Sequence, residues 1–413
     1  MRIQNQIQIR RQKGQAIAQT RKVEIRNGIW IVPSQSNHMK SYKVELRLDG
    51  SKCTCQDFTS RGIKCKHIFA VEITVEKQVN LDGSTTITQT KRITYSQPNW
   101  SAYTKAQNEE VKLFDELLRD LVQNVNEPVQ VIGRPRVPLR EGLFCAIQKV
   151  YSQLSSRRAY SLYRNAESRE QISKAPNYNV INVLLNSVEI TPVLKELLEI
   201  TSLPLKSVET QFAIDSTGFR TSKFSEYCHI KYGTNQRHSW LKAHLCVGTK
   251  TNVITAVEIT DENGADNPKF IPLMQTTSQN GFDMQEVSAD KAYSSRDNFV
   301  CAEQIGAVPY IPFKSNAVGN PRGKSRLWRN MFHYFQFRQE EFMEHYHKRS
   351  NVETTNMAIK TKLGDGLKNK NFVSQTNELL CKLIAYNITV LISAMFELKI
   401  EPTFHSLDNY LKF

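Results

Sequence analysis

The sequence predicts an α/β domain in its second half, preceded by an all-α region and a small α+β module organised around cysteines. Three observations carry that prediction. Past Pro204, strand-like and helical segments alternate in a definite order. Residues 107–200 place apolar side chains at helical spacing throughout. Three of the eight cysteines fall between Cys53 and Cys65, beside a histidine.

Taken in order, residues 1–20 are rich in Gln and Arg without periodicity, which reads as a flexible basic tail. Their start, MRIQNQIQIRRQKGQ, has no apolar run of the kind a secretory signal needs. Residues 21–78 form the cysteine module. IWIVPSQ and YKVELRLDG alternate like strands, with Asp49-Gly50 as a turn, and HIFAVEITVEK reads as a short helix. Between them Cys53, Cys55, Cys65 and His67 spell C-x-C-x9-C-x-H. On a strand, residues two apart share a side, so Cys53 and Cys55 present both sulfurs together. Cys65 and His67 return at the start of the helix. Three thiolates and an imidazole satisfy tetrahedral Zn²⁺ with no open position, which implies a structural site. The alternative is three small buried cysteines and a surface histidine. The other cysteines are scattered, which fits a reducing compartment and not a disulfide framework.

Residues 79–106 are polar and read as a linker or weak hairpin. Residues 107–204 are the helical region. EEVKLFDELLRDLVQNV sets Val111, Phe114, Leu117, Leu118 and Leu121 on one face. REGLFCAIQKVYSQLSSRRAYSLY is a second amphipathic stretch, followed by NVINVLLNS and TPVLKELLEI, with Thr191 as N-cap and Pro192 at the first helical position. A helix-turn-helix over 177–200 and two plain packed helices both fit. Gly133-Arg134-Pro135-Arg136 resembles the core of an AT-hook, whose arginines enter the minor groove of A·T DNA; a plain interdomain loop fits four residues equally well.

Residues 205–400 carry the ordered series. QFAID, WLKAHLCVG and NVITAVEIT read as strands, PKFIPLMQTTSQ as a helix, QEVSAD as a strand, SRDNFVCAEQIG as a helix and VPYIPF as a strand, with long helices to follow. That order is the order of a ribonuclease H-like fold. Residues 379–398 are mostly apolar, but Lys382, Asn387 and Glu397 interrupt them, so a buried helix is expected and not a membrane span. Residues 401–413 read as a C-terminal tail.

Asp215 ends the first strand of the series and Asp290 the fourth. Carboxylates at strand ends of an open sheet face the crevice where ligands bind, although a single Asp there is ordinarily a turn residue or helix cap. Tyr346, Arg349, Glu353 and Lys360 form Y-x2-R-x3-E-x6-K. At about 100° per residue these spacings fall within an arc of roughly 60°, so one face of a single helix should carry all four. A solvated charged face is the bland alternative. It gives no reason for an acid set between two bases beneath a tyrosine.

With the two aspartates, this pattern resembles the signature of a large superfamily of bacterial and archaeal insertion-sequence transposases, over residues 211–398. The resemblance implies a D-D-E triad of Asp215, Asp290 and Glu353 on the ribonuclease H-like fold. Tyr346, Arg349 and Lys360 fill the remaining catalytic signature positions. It implies two Mg²⁺ ions, with Mn²⁺ as a substitute, since hard cations prefer carboxylate oxygen. It also implies cleavage and strand transfer of double-stranded DNA, at terminal repeats and target, by a homodimer in the nucleoid of a prokaryotic cytoplasm. The short Asp290–Glu353 separation leaves no room for a large inserted domain. The C-x-C-x9-C-x-H cluster is similar to a SWIM zinc finger. Arg349 and Lys360 are expected to hold phosphates.

Lys and Arg number 55 against 40 for Asp and Glu, a formal charge of +15, which favours a polyanionic partner. Arg134, Arg136, Arg220, Lys223, Lys231 and Arg237 are the candidate DNA contacts, with His238 beside them. His244 on the second strand reads as a structural residue or one that supports the ligands from behind, and not as a ligand itself. Two other readings remain at this stage: a domesticated transposase-derived DNA-binding protein, and a ribonuclease H-like nuclease acting on branched nucleic acid.

Overall fold

Residues 2–20 form a helix, α1 (Arg2–Thr20), where composition predicted a flexible tail. What the composition hid is a close contact. A Cβ added at Gly14 would lie 2.6 Å from the Phe69 Cβ and 2.8 Å from the Lys66 carbonyl, so glycine lets two helices touch. Ile17 is buried beside it, and Arg10 pairs with Asp57 at 3.0 Å. The computed structural model describes residues 2–26, 28–35, 40–46, 51–79, 85–89, 99–133, 135–221, 240–319 and 325–404. They fall into two units, Met1–Gln97 and Pro98–Phe413.

In the first unit, β1 (Glu24–Arg26), β2 (Ile29–Pro33), β3 (Ser41–Glu45) and β4 (Lys52–Cys53) form an antiparallel meander. The alternation predicted for IWIVP holds: Trp30 and Val32 are buried, with Val44 opposite on β3. The expected Asp49-Gly50 turn lies outside the described residues. Short α2 (Gln56–Arg61) and then α3 (Lys66–Thr74) follow, and Ile68 and Val71 of α3 join Ile17 and the cysteines in one core. The helix expected over HIFAVEITVEK ends at Thr74, and its last residues begin a strand, β5 (Val75–Val79), which pairs with β6 (Thr85–Gln89) in the stretch read as linker or weak hairpin.

The second unit opens with α4 (Trp100–Gln123), seven residues earlier than the polar composition suggested, capped by the Asn99 side chain. There follow α5 (Leu139–Tyr151), α6 (Ser156–Ser168), α7 (Tyr178–Leu185) and α8 (Ile190–Ser202). Thr191 is not the N-cap of α8. It lies in the first turn, and its hydroxyl bonds Asn377 Oδ1 at 2.8 Å. α7 packs on α5 and α6, whereas α8 packs on the C-terminal helix and the sheet.

The sheet comprises β7 (Gln211–Arg220), β8 (Trp240–Gly248), β9 (Ile254–Thr260), β10 (Glu286–Ala289) and β11 (Val308–Tyr310). Their spatial order is β11-β10-β7-β8-β9. β7, β8 and β9 are antiparallel neighbours, and β10 and β11 run parallel to β7. Helices α9 (Phe270–Gln279), α10 (Arg296–Ile305), α11 (Arg326–Phe337), α12 (Gln339–Tyr346), α13 (Ser350–Leu363) and α14 (Phe372–Glu397) complete the unit. This is the predicted ribonuclease H-like order. Alternation along β7 divides the interior: Phe212 and Ile214 enter a core with α9 to α12, while Ala213 and Phe219 enter another with α4, α5, α8 and α14.

The second core shows that no domain boundary falls at residue 204, because the N-terminal helices cover one face of the sheet. Its centre is α14, the only described helix long and apolar enough to cross a membrane, yet 78% of its most apolar window is buried in the protein. The polar residues that interrupt it make internal bonds. Asn387 accepts from Ile254 N–H and donates to Ile254 O and Thr201 Oγ1. Lys382 donates to the carbonyls of Leu363, Gly364 and Gly366, tying off the C-terminal end of α13. Beyond α14, Phe404 is buried and its N–H bonds Asp120, so the tail docks before it leaves the described residues.

Candidate functional site

The register of the sheet makes a corner. Ala289, the last residue of β10, pairs with Ile214, so from Asp215 to Phe219 β7 has no paired neighbour on that side, and a single bridge from Arg220 to Gly366 closes the gap at its far end. Asp215 therefore lies mid-strand and not at the strand end that was expected, but the neighbouring strand stops there. Asp290 follows directly after Ala289 and caps a 3₁₀ turn, its Oδ1 accepting from Lys291 N–H at 2.6 Å. Both aspartates thus border one open corner of the sheet.

The Y-x2-R-x3-E-x6-K segment is not the single helix that its spacing predicted. α12 ends at Tyr346, a 3₁₀ turn spans His347–Arg349, and α13 begins at Ser350. Side chains three apart eclipse in a 3₁₀ turn, so Tyr346 and Arg349 still align. Glu286 holds this junction, accepting from Lys348 Nζ at 2.7 Å with His345 Nδ1 at 3.1 Å.

Arg349 is the hub. Its Nη2 stands 3.2 Å from Asp215 Oδ2 and its Nη1 2.6 Å from Glu353 Oε1. Burial opposes its charge, but Asp215, Tyr346, Glu353 and Asp290 together outweigh it and raise its pKa. Burial likewise pushes the Asp215 carboxyl above the usual range, with Arg349 and the Ser216 N–H pulling against it. Tyr346 is raised by burial, then by Asp290 and Glu353, while Arg349 opposes. The structure thus brings Asp215, Asp290, Glu353, Tyr346 and Arg349 within electrostatic reach of one another. Glu353 is exposed at the mouth, and Asp215 is mostly buried.

Lys360 stands apart. Seven residues beyond Glu353 it lies about 10 Å farther along α13, its Nζ 5.6 Å from the Phe219 ring centre, with burial lowering its pKa and Asp365 opposing. Arg220, at the tip of β7, pairs with Asp365 at 2.7 Å, and its backbone bonds Asp365 and Leu367. Sequence reasoning offered Arg220 to DNA without foreseeing this partner, 145 positions away. Arg136 is exposed. Arg134, Lys223, Lys231, Arg237 and His238 lie outside the described residues. His244 is fully buried, its Nε2 3.1 Å from Thr260 Oγ1, and burial lowers its pKa to about 4, as a structural histidine requires.

Two carboxylates paired to one guanidinium, with Asp290 in the same field, offer all-oxygen donors of the kind a hard divalent cation prefers.

The second site lies in the first unit. Cys53 ends β4, Cys55 N-caps α2 and so is not on the strand as expected, and Cys65 and His67 flank the start of α3. All four ligand atoms lie within 4.8 Å of one another, and all four residues are buried. His67 presents Nδ1, 3.9 Å from both Cys53 and Cys65 Sγ, while the Tyr42 ring packs against its ring at 4.4 Å, tilted by 32°. A hydrogen bond with Cys53 holds the Cys65 thiol below its usual range and pushes Cys53 above its own. Buried thiols sharing protons at this spacing are the donor set of tetrahedral Zn²⁺.

Residues 206–388 match the transposase DDE domain family, and residues 42–76 match the SWIM zinc finger. Among solved structures, a cryo-EM structure of the piggyBac transposase synaptic complex with hairpin DNA is similar at TM-score 0.35 and 9% identity, covering 75% of this chain and 78% of that one.

Proposed function

We propose that this chain, with a DDE domain behind a SWIM zinc finger, is a DNA transposase that cleaves element ends and joins them to target DNA at the corner bounded by Asp215, Asp290 and Glu353. The observation that supports this reading best is the convergence of Asp290, Glu353 and mostly buried Asp215 on Arg349. The carboxylates would hold Mg²⁺, with Mn²⁺ as a substitute; two ions when bound activate the attacking oxygen and stabilise the leaving one. Zn²⁺ belongs to the cysteine site, since thiolates suit it and not Mg²⁺.

The chain's own residues then divide the work. Asp215, buried on a strand, fixes one ligand rigidly; Glu353, exposed in the first turn of α13, is free to adjust. Arg349 neutralises the two carboxylates in the absence of metal and turns its forked donors to a DNA phosphate when metal takes its place. Tyr346 stands within electrostatic reach of Asp290, Glu353 and Arg349. Lys360, too far along α13 to meet the carboxylates, holds a phosphate of the strand lying along that helix. Arg136 and the basic segment containing Lys223, Lys231 and Arg237 track DNA backbone, with Arg134 at the preceding loop. The active species is a homodimer bridging two element ends in a prokaryotic cell.

Strand transfer is the discriminating assay. Duplexes taken from the DNA flanking the gene are mixed with a supercoiled target and Mg²⁺. Covalent joining supports the reading; cleavage without joining favours a nuclease, and binding without either favours a domesticated DNA-binding protein.

A further inference from the structure

The connection between α4 and α5 is fastened like a projection. Residues 126–138 read NEPVQVIGRPRVP, and Pro128, Pro135 and Pro138 restrict its backbone. At its base, the Glu127 carboxylate accepts from Leu139 N–H at 2.6 Å and Arg140 N–H at 3.1 Å, at the start of α5. Nearer the tip, the Gln130 side chain spans the loop: Oε1 accepts from Arg136 N–H at 3.1 Å, and Nε2 donates to the Ile132 carbonyl at 3.2 Å. Gly133, at φ 103°, makes the reversal. Gln130 is thus tied across the loop, and its apolar neighbours are left outside. Val129, Val131 and Ile132 are 91%, 85% and 89% exposed.

Single exposed apolar residues are ordinary, but three together on a pinned and proline-stiffened tip mark a contact surface. The surrounding charge selects the partner. Residues 126–140 contain Arg134, Arg136 and Arg140 against one carboxylate, Glu127, which is already engaged with the α5 N–H groups and lies 4.0 Å from Arg140. A second copy meeting this tip with its own would crowd arginines together. An anionic partner with a narrow apolar interior would not.

We propose that this loop is a minor-groove wedge, which sets Val129, Val131 and Ile132 against base steps while Arg136 and Arg140 take the groove walls. The minor groove is about 6 Å wide, enough for one strand of chain, and is most negative over A·T tracts. Apolar side chains entering there unstack a step and bend the duplex. The stiffness supplied by Gln130 and the prolines lowers the ordering entropy of docking. The inference rests on the reading of this chain as a DNA-binding enzyme and adds where, and how, it deforms DNA.

The test uses the full chain and two short dye-labelled duplexes of equal length, one A·T-rich and one G·C-rich. Affinity is read by anisotropy and bending by energy transfer between the duplex ends. Wild type should prefer the A·T duplex and shorten its end-to-end distance. Val129→Ser/Val131→Ser/Ile132→Ser, at solvent-facing positions that fold does not need, should lose the bend and weaken A·T binding by about tenfold. Gln130→Ala, which frees the tip but keeps the wedge, should weaken binding without abolishing the bend. A triple variant that bends and prefers A·T DNA as wild type does overturns the proposal. So does one that changes only sedimentation, which would make the tip a protein interface. If wild type binds neither duplex, the DNA-binding reading fails along with it.

Discussion

Removing the Arg349 guanidinium tests the electrostatics of the corner. In Arg349→Gln, Asp215 loses a partner 3.2 Å away, with both side chains under a fifth exposed, and Glu353 loses one 2.6 Å away at an exposed position. Breaking a fully buried pair costs about 3–5 kcal/mol, and an exposed pair one helical turn apart is worth about 0.3–0.5 kcal/mol. The Asp215 arm is mostly but not fully buried, so the metal-free protein should lose about 2–3 kcal/mol, nearly all of it from that arm. The penalty has a pH signature. Burial already raises the folded pKa of Asp215 above 3.8, so its charge is a liability at pH above that raised value. Losing Arg349 enlarges the liability. The penalty should be full at neutral pH and fade as pH falls through the raised pKa. Urea unfolding without divalent ions, repeated down the pH range, measures it. Mg²⁺ should then stabilise Arg349→Gln more than wild type, since guanidinium and cation compete for the same carboxylates. An unchanged metal-free midpoint, or a penalty that grows toward acid, would refute the reasoning.

Other perturbations follow from the same geometry. Lys382→Met should strip three carbonyls of their donor at the end of α13 and lower stability by about 3 kcal/mol, read as a denaturant midpoint. Cys65→Ser should abolish stoichiometric zinc in metal analysis of the full chain and make the first unit sensitive to proteolysis, while a chelator should do the same to wild type. Glu286→Gln should loosen the junction before Arg349 at a cost of about 1 kcal/mol after solvent screening. Burial works against the Glu286 charge, but bonds from Lys348 and His345 prevail and lower its pKa, so its contribution is present above about 4.5 and is lost as pH falls through the folded value. Thermal melts of wild type and variant should therefore converge in acid.

The strand and helix order of the second unit was legible because period 2 and period 3.6 alternate clearly there, and the signature carboxylates were legible because chemistry restricts their spacing. Long-range partners left no local trace. Nothing near Arg349 in sequence names Asp215, and nothing near Arg220 names Asp365. The Arg349–Glu353 pair, by contrast, is readable as i, i+4. The tail that proved helical misled because its contact depends on Gly14, a residue that ordinarily argues against a helix. The break after Tyr346 escaped because α- and 3₁₀-helices look alike at a spacing of three. The boundary expected at residue 204 failed because helices read as a separate domain cover the sheet, and only the packing around α14 reveals it.

The most direct test of the central claim compares Glu353→Gln with wild type on duplexes carrying the inverted repeats that flank the gene, measuring end affinity and Mg²⁺-dependent cleavage in the same preparation. Affinity should stay within about threefold while cleavage falls by about a thousandfold or more, and Asp290→Asn added to Glu353→Gln should be scarcely worse, because the carboxylates act as one unit. Affinity lost in proportion to cleavage, or cleavage that survives the substitution, would contradict that claim.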